Sequence, residues 1–220
     1  MQKNSDIEYL LSGIGWKISG YTGCQDTELP GIPFDKKTLF TKEFKNFGRL
    51  DEVSKAVCAA LSCALGDAGL YPLEHPVSYP VFFTASVASL AADISYFRDF
   101  ISFGETAGRA NLFVYTLPTS PLGEASVHFG LTGPLLFIDS LPSSGSFSAD
   151  LISDYAAVHE PDGVVLGFAE ENGADADALF MIFTACSAKG RENISPDFLR
   201  GIRDFSIVQL RDFLLALSGG

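Results

Sequence analysis

The sequence is poor in the residues that build metal centres and disulfide frameworks. Its 220 residues include four cysteines and three histidines. The cysteines (Cys24, Cys58, Cys63 and Cys186) form no Cys-x-x-Cys pair, and the histidines stand far apart. Such scatter argues against a zinc site and against a disulfide framework, so we expect no metal. Cys58 and Cys63 fall in an alanine-rich helical run and are predicted to be small core residues.

Basic residues are missing from a long part of the chain. No lysine or arginine occurs from Ala110 to Ala188, whereas ten acidic residues do, and the formal net charge of the whole chain is -12. A surface with this charge repels nucleic acid and anionic membranes. We therefore expect neither as a partner.

Signals for export and for membrane insertion are also lacking. Asp6 and Glu8 stand where a signal peptide would have a basic and then an apolar segment. The longest uncharged stretch, residues 75–92, contains Pro76 and Pro80 and does not read as a membrane span. We expect a cytoplasmic protein.

The hydrophobic pattern predicts strands that alternate with helices in one domain, residues 1–220. The clearest helix follows the apolar spacing of residues 53–65, with Asp51 as its cap and Gly69 as its stop. Ser120 and Pro121 mark another helix start. An acidic turn over residues 170–177 separates two strands that we expect to pair antiparallel. The pattern indicates an α/β layered fold with a mostly parallel sheet and helices on both faces. The predicted strands are 7–18, 81–86, 135–139, 163–169 and 179–186, and the other helices are 88–103, 120–129, one after 146 and one near 210–217.

The run Phe129-Gly-Leu-Thr-Gly-Pro134, within residues 115–139, resembles the segment before the active-site cysteine of β-ketoacyl synthases. Three further segments resemble that family in the same order. They are Ser12-Gly-Ile-Gly15, the stretch from Arg49-Leu-Asp51 through Asp67-Ala-Gly-Leu70, and Gly167-Phe-Ala-Glu170. The resemblance covers nearly the whole chain but only the first of the two similar halves of a synthase. It implies a thiolase-like half as the fold.

Two departures from the family decide what the resemblance implies about function. Pro142 occupies the position of the nucleophilic cysteine, and proline has no nucleophile. The half that supplies the family's catalytic histidines is absent from these 220 residues. The chain resembles the short, cysteine-less ketosynthase-like N-terminal domain family. The resemblance implies a non-catalytic subunit like a chain length factor, without a cofactor, in fatty acid, aryl polyene or polyketide assembly.

Two alternatives stay open. The serine-rich turn 143–146 could serve a free-standing acyltransferase or thioesterase, with His128 as the base, although it lacks a G-x-S-x-G elbow. The chain could instead be a self-associating module that binds an acyl chain. A phosphate cradle is not supported, because neither GxGxxG nor GxxxxGK[ST] occurs, and Gly13 and Gly15 are better explained by close packing at a strand.

The resemblance also implies partners. In the family the strand that contains Leu135, Phe137 and Ile138 lies at the dimer interface, so we expect a heterodimer with a full-length β-ketoacyl synthase or a homodimer. Phe113, Tyr115 and Leu117 precede the helix in the region that reaches the partner's acyl tunnel. In an extended segment Phe113 and Tyr115 would share one face and plug a channel, or both would be core aromatics.

Contact with acyl carrier protein is expected to be indirect. Carrier proteins are acidic and should avoid the acidic surface of residues 110–188. Docking would then involve the partner synthase, or a group of lysines that otherwise forms a solvated loop. These lysines are Lys36, Lys37, Lys42 and Lys45.

Overall fold

A computed structural model describes residues 8–24, 31–72, 74–85, 89–104, 110–138, 149–172, 175–186 and 206–218. Pro142 and the serine-rich turn 143–146 lie outside these ranges. No helix in the described ranges is long and apolar enough to cross a membrane.

Seven strands of the described residues form one sheet in the order β3-β2-β1-β7-β6-β4-β5. Two neighbouring pairs, β4–β5 and β4–β6, are parallel, and the other four pairs are antiparallel. The expectation of a mostly parallel sheet was therefore wrong. Only two residues separate β1 from β2, and only two separate β6 from β7. A connection of this length can produce only an antiparallel pair. The strands are β1 Glu8–Ile18, β2 Tyr21–Cys24, β3 Ile32–Pro33, β4 Val81–Ala85, β5 Leu135–Phe137, β6 Gly163–Asn172 and β7 Asp175–Cys186.

Helices cover both faces of this sheet, as expected for the α/β class. The helices α2 and α5 bury their apolar sides on one face, and α6 and α7 on the other. The helices are α1 Lys36–Leu39, α2 Glu52–Asp67, α3 Leu90–Phe103, α4 Ala110–Val114, α5 Ser120–Phe129, α6 Ala149–His159 and α7 Ile207–Ser218.

Helix α2 is the central helix of its layer, and its local signals are those expected from the sequence. The carboxylate of Asp51 accepts a hydrogen bond from the Ser54 amide at 2.8 Å and so caps the helix. Gly69 follows the helix with φ +69, a conformation that glycine adopts without strain. Eleven of the sixteen residues of α2 are buried, which means that it packs on more than one side.

The acidic residues near 170–177 do not form the expected turn. The strands β6 and β7 run on to Asn172 and from Asp175, so the acidic side chains belong to the paired strands. Lys17 is 5% exposed, and its ammonium donates to Asp175 and, at 2.6 Å, to the carbonyl of Ala176. Asp177 is 4% exposed and accepts from the Ser19 amide at 2.8 Å. These partners on β1 and its turn satisfy the carboxylates and let the strands continue.

Candidate functional site

The synthase-like motif Phe129–Pro134 guides the chain from α5 into β5. Gly130 ends α5 with φ +75, and its amide donates to Ser126 at 2.9 Å. Leu131 then forms an isolated parallel β-bridge with Val77. A Cβ built on Gly133 would lie 2.0 Å from the carbonyl oxygen of Tyr79. The two glycines of the motif are thus explained by a left-handed turn and by a close backbone approach.

The start of α5 differs in one detail from the expectation. Pro121 lies in the first turn as predicted, but Ser120 does not cap the helix. The N-cap is Thr119, which makes no side-chain cap hydrogen bond, and the Ser120 hydroxyl donates to the Val114 carbonyl instead. Ser120 therefore ties α5 to the end of α4.

The strand β5 lies at the edge of the sheet. Leu135 and Phe137 pair with Val81 and Phe83 of β4, and the amide of Ile138 donates to the Phe83 carbonyl at 2.8 Å. All three predicted interface residues of this strand are half-buried. The side of β5 that faces away from β4 pairs with no strand of the described residues. An edge strand of this kind can pair with a strand of another chain.

The three predicted tunnel residues do not lie in an extended segment. Phe113 belongs to the short helix α4, and Tyr115 and Thr116 follow in a turn in which their amides donate to Leu112 and Phe113. Phe113 and Leu117 are 53% and 52% exposed, which excludes Phe113 from the core. Tyr115 is half-buried and packs against the core below α2. Phe113 is helical and exposed, whereas Tyr115 lies in the following turn and packs against the core, so the two rings do not project from one face as predicted.

Large apolar side chains are exposed along α3, and others are exposed in α4 and in the turn that follows it. Leu90, Ile94, Phe97 and Ile101 follow one stripe of α3 and are 42–70% exposed. The described residues of α3 include one buried side chain, Asp99. We call this surface, together with the exposed side chains of the next segment, the α3–α4 apolar face. Those further side chains are Phe103, Phe113, Val114 and Leu117.

A cavity of about 290 Å³ lies between the start of α2, α3 and Tyr115. Its lining includes four carboxylates, those of Asp51, Glu52, Glu171 and Asp175. Burial raises the pKa of Glu171, and the nearby charge of Asp51 raises it further. The carboxylates lie beside apolar side chains of Ala91, Ala92 and Leu112. The negative charge of this lining disfavours an anionic group in the cavity.

His128 is placed as an aromatic packing residue. Its ring stacks on Phe44 at a centroid distance of 4.0 Å and meets Phe40 edge-on at 5.5 Å. Burial lowers its pKa, and the charge of Lys42 lowers it further. This packing against Phe44 and Phe40 disfavours His128 as a general base.

The environments of the two α2 cysteines do not activate either of them as a catalytic nucleophile. Cys58 is fully buried, as expected, and burial raises the pKa of its thiol well above the ordinary range. Cys63 is half-buried, and burial raises its pKa to about 12. Neither has the low pKa of a nucleophilic cysteine. No group of three or more His, Cys, Asp or Glu side chains in the described ranges could hold a metal ion.

A basic segment, residues 36–49, is held against α2 and α5 by phenylalanines. Phe40 and Phe47 are buried, and their rings lie 5.1 Å apart. Phe44 packs at 5.4 Å from Phe47. The cations of the segment remain exposed between these anchors. They are Lys36, Lys37, Lys42, Lys45 and Arg49.

The comparisons with known proteins identify the fold. No protein family and no curated protein matches the chain. Solved structures do match, among them a complex of the ketosynthase ApeO with its chain length factor ApeC from Xenorhabdus doucetiae. That match has a TM-score of 0.57 at 12% identity and covers 82% of this chain and 80% of that one.

Two further matches have the same fold. The ishigamide ketosynthase/chain length factor has a TM-score of 0.63 at 14% identity, with 84% of this chain and 64% of that one covered. A β-ketoacyl synthase from Burkholderia phymatum has a TM-score of 0.59 at 15% identity, with 82% and 60% covered. The chain thus spans less than two thirds of these two proteins. The predicted resemblance to one half of a β-ketoacyl synthase is confirmed at the level of the fold, which is thiolase-like.

Proposed function

We propose that the chain is a non-catalytic subunit of the chain length factor type, formed by one domain over residues 1–220. It pairs with an active β-ketoacyl synthase in the cytoplasm and shapes the acyl tunnel of that enzyme in fatty acid, polyene or polyketide assembly. The observation that carries this proposal is the α3–α4 apolar face. Proteins that work as monomers rarely leave so many large apolar side chains exposed together.

The edge strand β5 supplies the second part of the proposed interface. Its outer side offers backbone groups to a partner strand, while Leu135 and Phe137 keep it attached to the core of this subunit. The structural matches include complexes of a ketosynthase with a chain length factor, which supports a synthase as the partner. A homodimer is the alternative assembly when no synthase is present.

The absence of catalysis rests on Pro142. By the resemblance of residues 115–139 to the synthase family, this proline stands where the nucleophilic cysteine would be. A subunit with this fold and without the nucleophile can still offer its surface to a partner. The hydrolase alternative needs a base for the serine-rich turn, and the packing of His128 against Phe44 argues against it.

The proposed contribution to the partner's tunnel comes from Phe113 and Leu117. Both are about half exposed on the α3–α4 apolar face, where side chains can enter a neighbouring subunit. Tyr115 points into its own subunit and would only support their position. Contact with an acidic acyl carrier protein would occur through the partner, or through the exposed cations of the basic segment 36–49.

Co-purification with candidate synthases from the native host tests the pairing. We expect a stable complex by light scattering, and we expect Phe97→Asp and Ile101→Asp to dissociate it, because a carboxylate would be buried at the interface. Val127→Asp is the matched control, since Val127 is 87% exposed on α5, outside the α3–α4 apolar face. A stable monomer that no synthase shifts, or a complex insensitive to the α3 variants, would contradict the proposal.

Activity assays test the other half of the proposal. The purified chain alone should release no carbon dioxide from malonyl-carrier protein. Incubation with an acyl thioester should leave no covalent adduct on residues 140–146 by mass spectrometry. Turnover by the isolated chain would overturn the non-catalytic assignment, and an adduct on a serine would favour the acyltransferase or thioesterase alternative.

A further inference from the structure

Cys24 and Cys63 are far apart in sequence, but the sheet register brings them to one place. Cys24 ends β2 and pairs directly with Gly15 of β1. Residues directly opposite each other in an antiparallel pair have Cα atoms roughly 4.5–5.5 Å apart and direct their side chains to the same face. The orientation of Cys24 therefore follows from the orientation of Gly15.

Gly15 faces α2 at the position of Cys63. A Cβ built on Gly15 would lie 2.7 Å from the carbonyl carbon of Cys63 and 2.1 Å from the amide nitrogen of Ala64. The neighbouring residue confirms the alternation, because a Cβ on Gly23 would meet the ring of Trp16 on the other face of the sheet. Cys24 and Cys63 thus both lie beside Gly15 on the face covered by α2. Gly15 has no side chain to separate them.

The surroundings of the Cys63 thiol agree with this placement. After burial, the interaction with Cys24 is the next cause that raises the pKa of Cys63. A hydrogen bond with the backbone of Gly23, the residue next to Cys24, acts in the opposite direction. Both contributions agree with a position of the Cys63 thiol near the end of β2. Cys58, five residues earlier on α2, is fully buried and lies near Glu124 and Asp51 instead.

We propose that Cys24 and Cys63 are an oxidation site that closes to a disulfide when the protein meets a peroxide. The half-exposed Cys24 reacts first, and the peroxide in this step is hydrogen peroxide: the Cys24 thiolate attacks one oxygen, the O–O bond breaks and Cys24 becomes a sulfenic acid. The hydroxide that leaves takes up the proton that the Cys24 thiol lost and becomes one water. The sulfur of Cys63 then attacks the Cys24 sulfur. The S–S bond forms, the S–O bond breaks, and the hydroxide leaves with the Cys63 proton as a second water. Two thiols are oxidised and one peroxide is reduced.

The disulfide would join the end of β2 to the middle of α2. It would close residues 25–62 into a covalent loop, and this loop contains the whole basic segment 36–49. Closing a loop removes conformations from the unfolded chain and so favours the folded state. Oxidation would therefore stabilise the part of the protein that carries the exposed cations.

Peptide mapping without reduction tests the site. The reduced chain is treated with hydrogen peroxide, alkylated under native and under unfolding conditions, digested and analysed by mass spectrometry. We expect a cross-linked Cys24–Cys63 peptide that has lost two hydrogens, with Cys58 alkylated only after unfolding. Cys24→Ser and Cys63→Ser should abolish the cross-link, and Cys58→Ser, the matched control on the same helix, should keep it.

Thermal unfolding provides a second measurement that does not depend on the variants. Oxidised wild-type protein should unfold at a higher temperature than reduced wild-type protein, and dithiothreitol should reverse the shift. Sulfinic acid on Cys24 without a cross-link, or a bond from Cys24 to any cysteine other than Cys63, would overturn the proposal. So would a Cys24–Cys63 bond that forms only in denaturant.

Discussion

Replacement of Gly15 by alanine should be among the most damaging single-methyl changes in this protein. The new Cβ would lie 2.1 Å from the Ala64 amide nitrogen, 2.3 Å from the Ala60 carbonyl oxygen and 2.7 Å from the Cys63 carbonyl carbon. All three are backbone atoms of α2, so no side chain can rotate away. Relief requires that the whole helix move away from β1.

The geometry sets the size of the effect. To bring the 2.1 Å contact to an ordinary distance of about 3.5 Å, α2 must withdraw by about 1.4 Å. A gap of about 0.5–1 Å already forfeits a quarter to a half of the dispersion energy of the contacts that it opens. Overpacking usually costs about 1–3 kcal/mol. Because α2 is buried over most of its length, we expect a loss near the upper end, about 3 kcal/mol. For a chain of this size, that loss lowers the melting temperature by roughly 6–12 °C.

Urea unfolding followed by circular dichroism measures this loss. Gly66→Ala is the matched control, because Gly66 lies on α2, has no atom within 4 Å of a built Cβ and needs no positive φ. Alanine in a helix is more favourable than glycine by about 0.5–1 kcal/mol, so this variant should be slightly stabilised. A Gly15→Ala variant that loses less than about 1 kcal/mol would refute the close approach of β1 and α2, given the overpacking costs above.

Three further predictions follow from individual side chains. Phe113→Ala should lower the free energy of unfolding by about 1 kcal/mol or less and Tyr115→Ala by about 2–3 kcal/mol, because only Tyr115 packs against the core. In complex with a synthase, only Phe113→Ala should lengthen the acyl product. An unchanged product would refute the tunnel role of Phe113. Burial alone would raise the pKa of Asp175, but hydrogen bonds from Lys17 and the Ala176 amide and the charge of Lys17 lower it below the ordinary 3.8. Asp175→Asn should therefore destabilise at pH 7, with a difference in urea midpoint that disappears as the pH falls below 3.8. Burial and the charge of Asp51 raise the pKa of Glu171 above its ordinary 4.5. Glu171→Gln should therefore increase the free energy of unfolding at pH 7, and this increase should disappear below pH 4.5. An equal increase at pH 7 and below pH 4.5 would refute the shift.

Features with local signals were predictable from the sequence. The apolar spacing of residues 53–65 and the Asp51 cap correspond to α2, and the strand at 81–86 and the helix at 120–129 correspond to β4 and α5. Such signals depend on the 3.6-residue period, on capping and on turn residues, all of which act within a few positions along the chain. The same local order supported the resemblance of residues 115–139 to a synthase.

Features that depend on distant partners were not predictable. The acidic run 170–177 looked like a turn because the partners of its carboxylates are distant in sequence. Lys17 binds Asp175 and Ser19 binds Asp177, each across 158 residues of the chain. The segment at Phe113 looked extended because its alternating apolar residues do not reveal the hydrogen bonds of the turn that follows. In both cases the local sequence pattern does not show the hydrogen-bond partners that stabilise the observed structure.

The sequence by itself determined the α/β class, the main helices and the motif that links α5 to β5, because these depend on neighbouring residues. Only the tertiary structure decided that four of the six strand pairs are antiparallel, that β5 lies at the edge and that the α3–α4 apolar face is exposed. It also placed Cys24 and Cys63 side by side across Gly15. Strand order and helix-to-sheet contacts join residues far apart in the chain, and no local pattern records which distant surfaces meet.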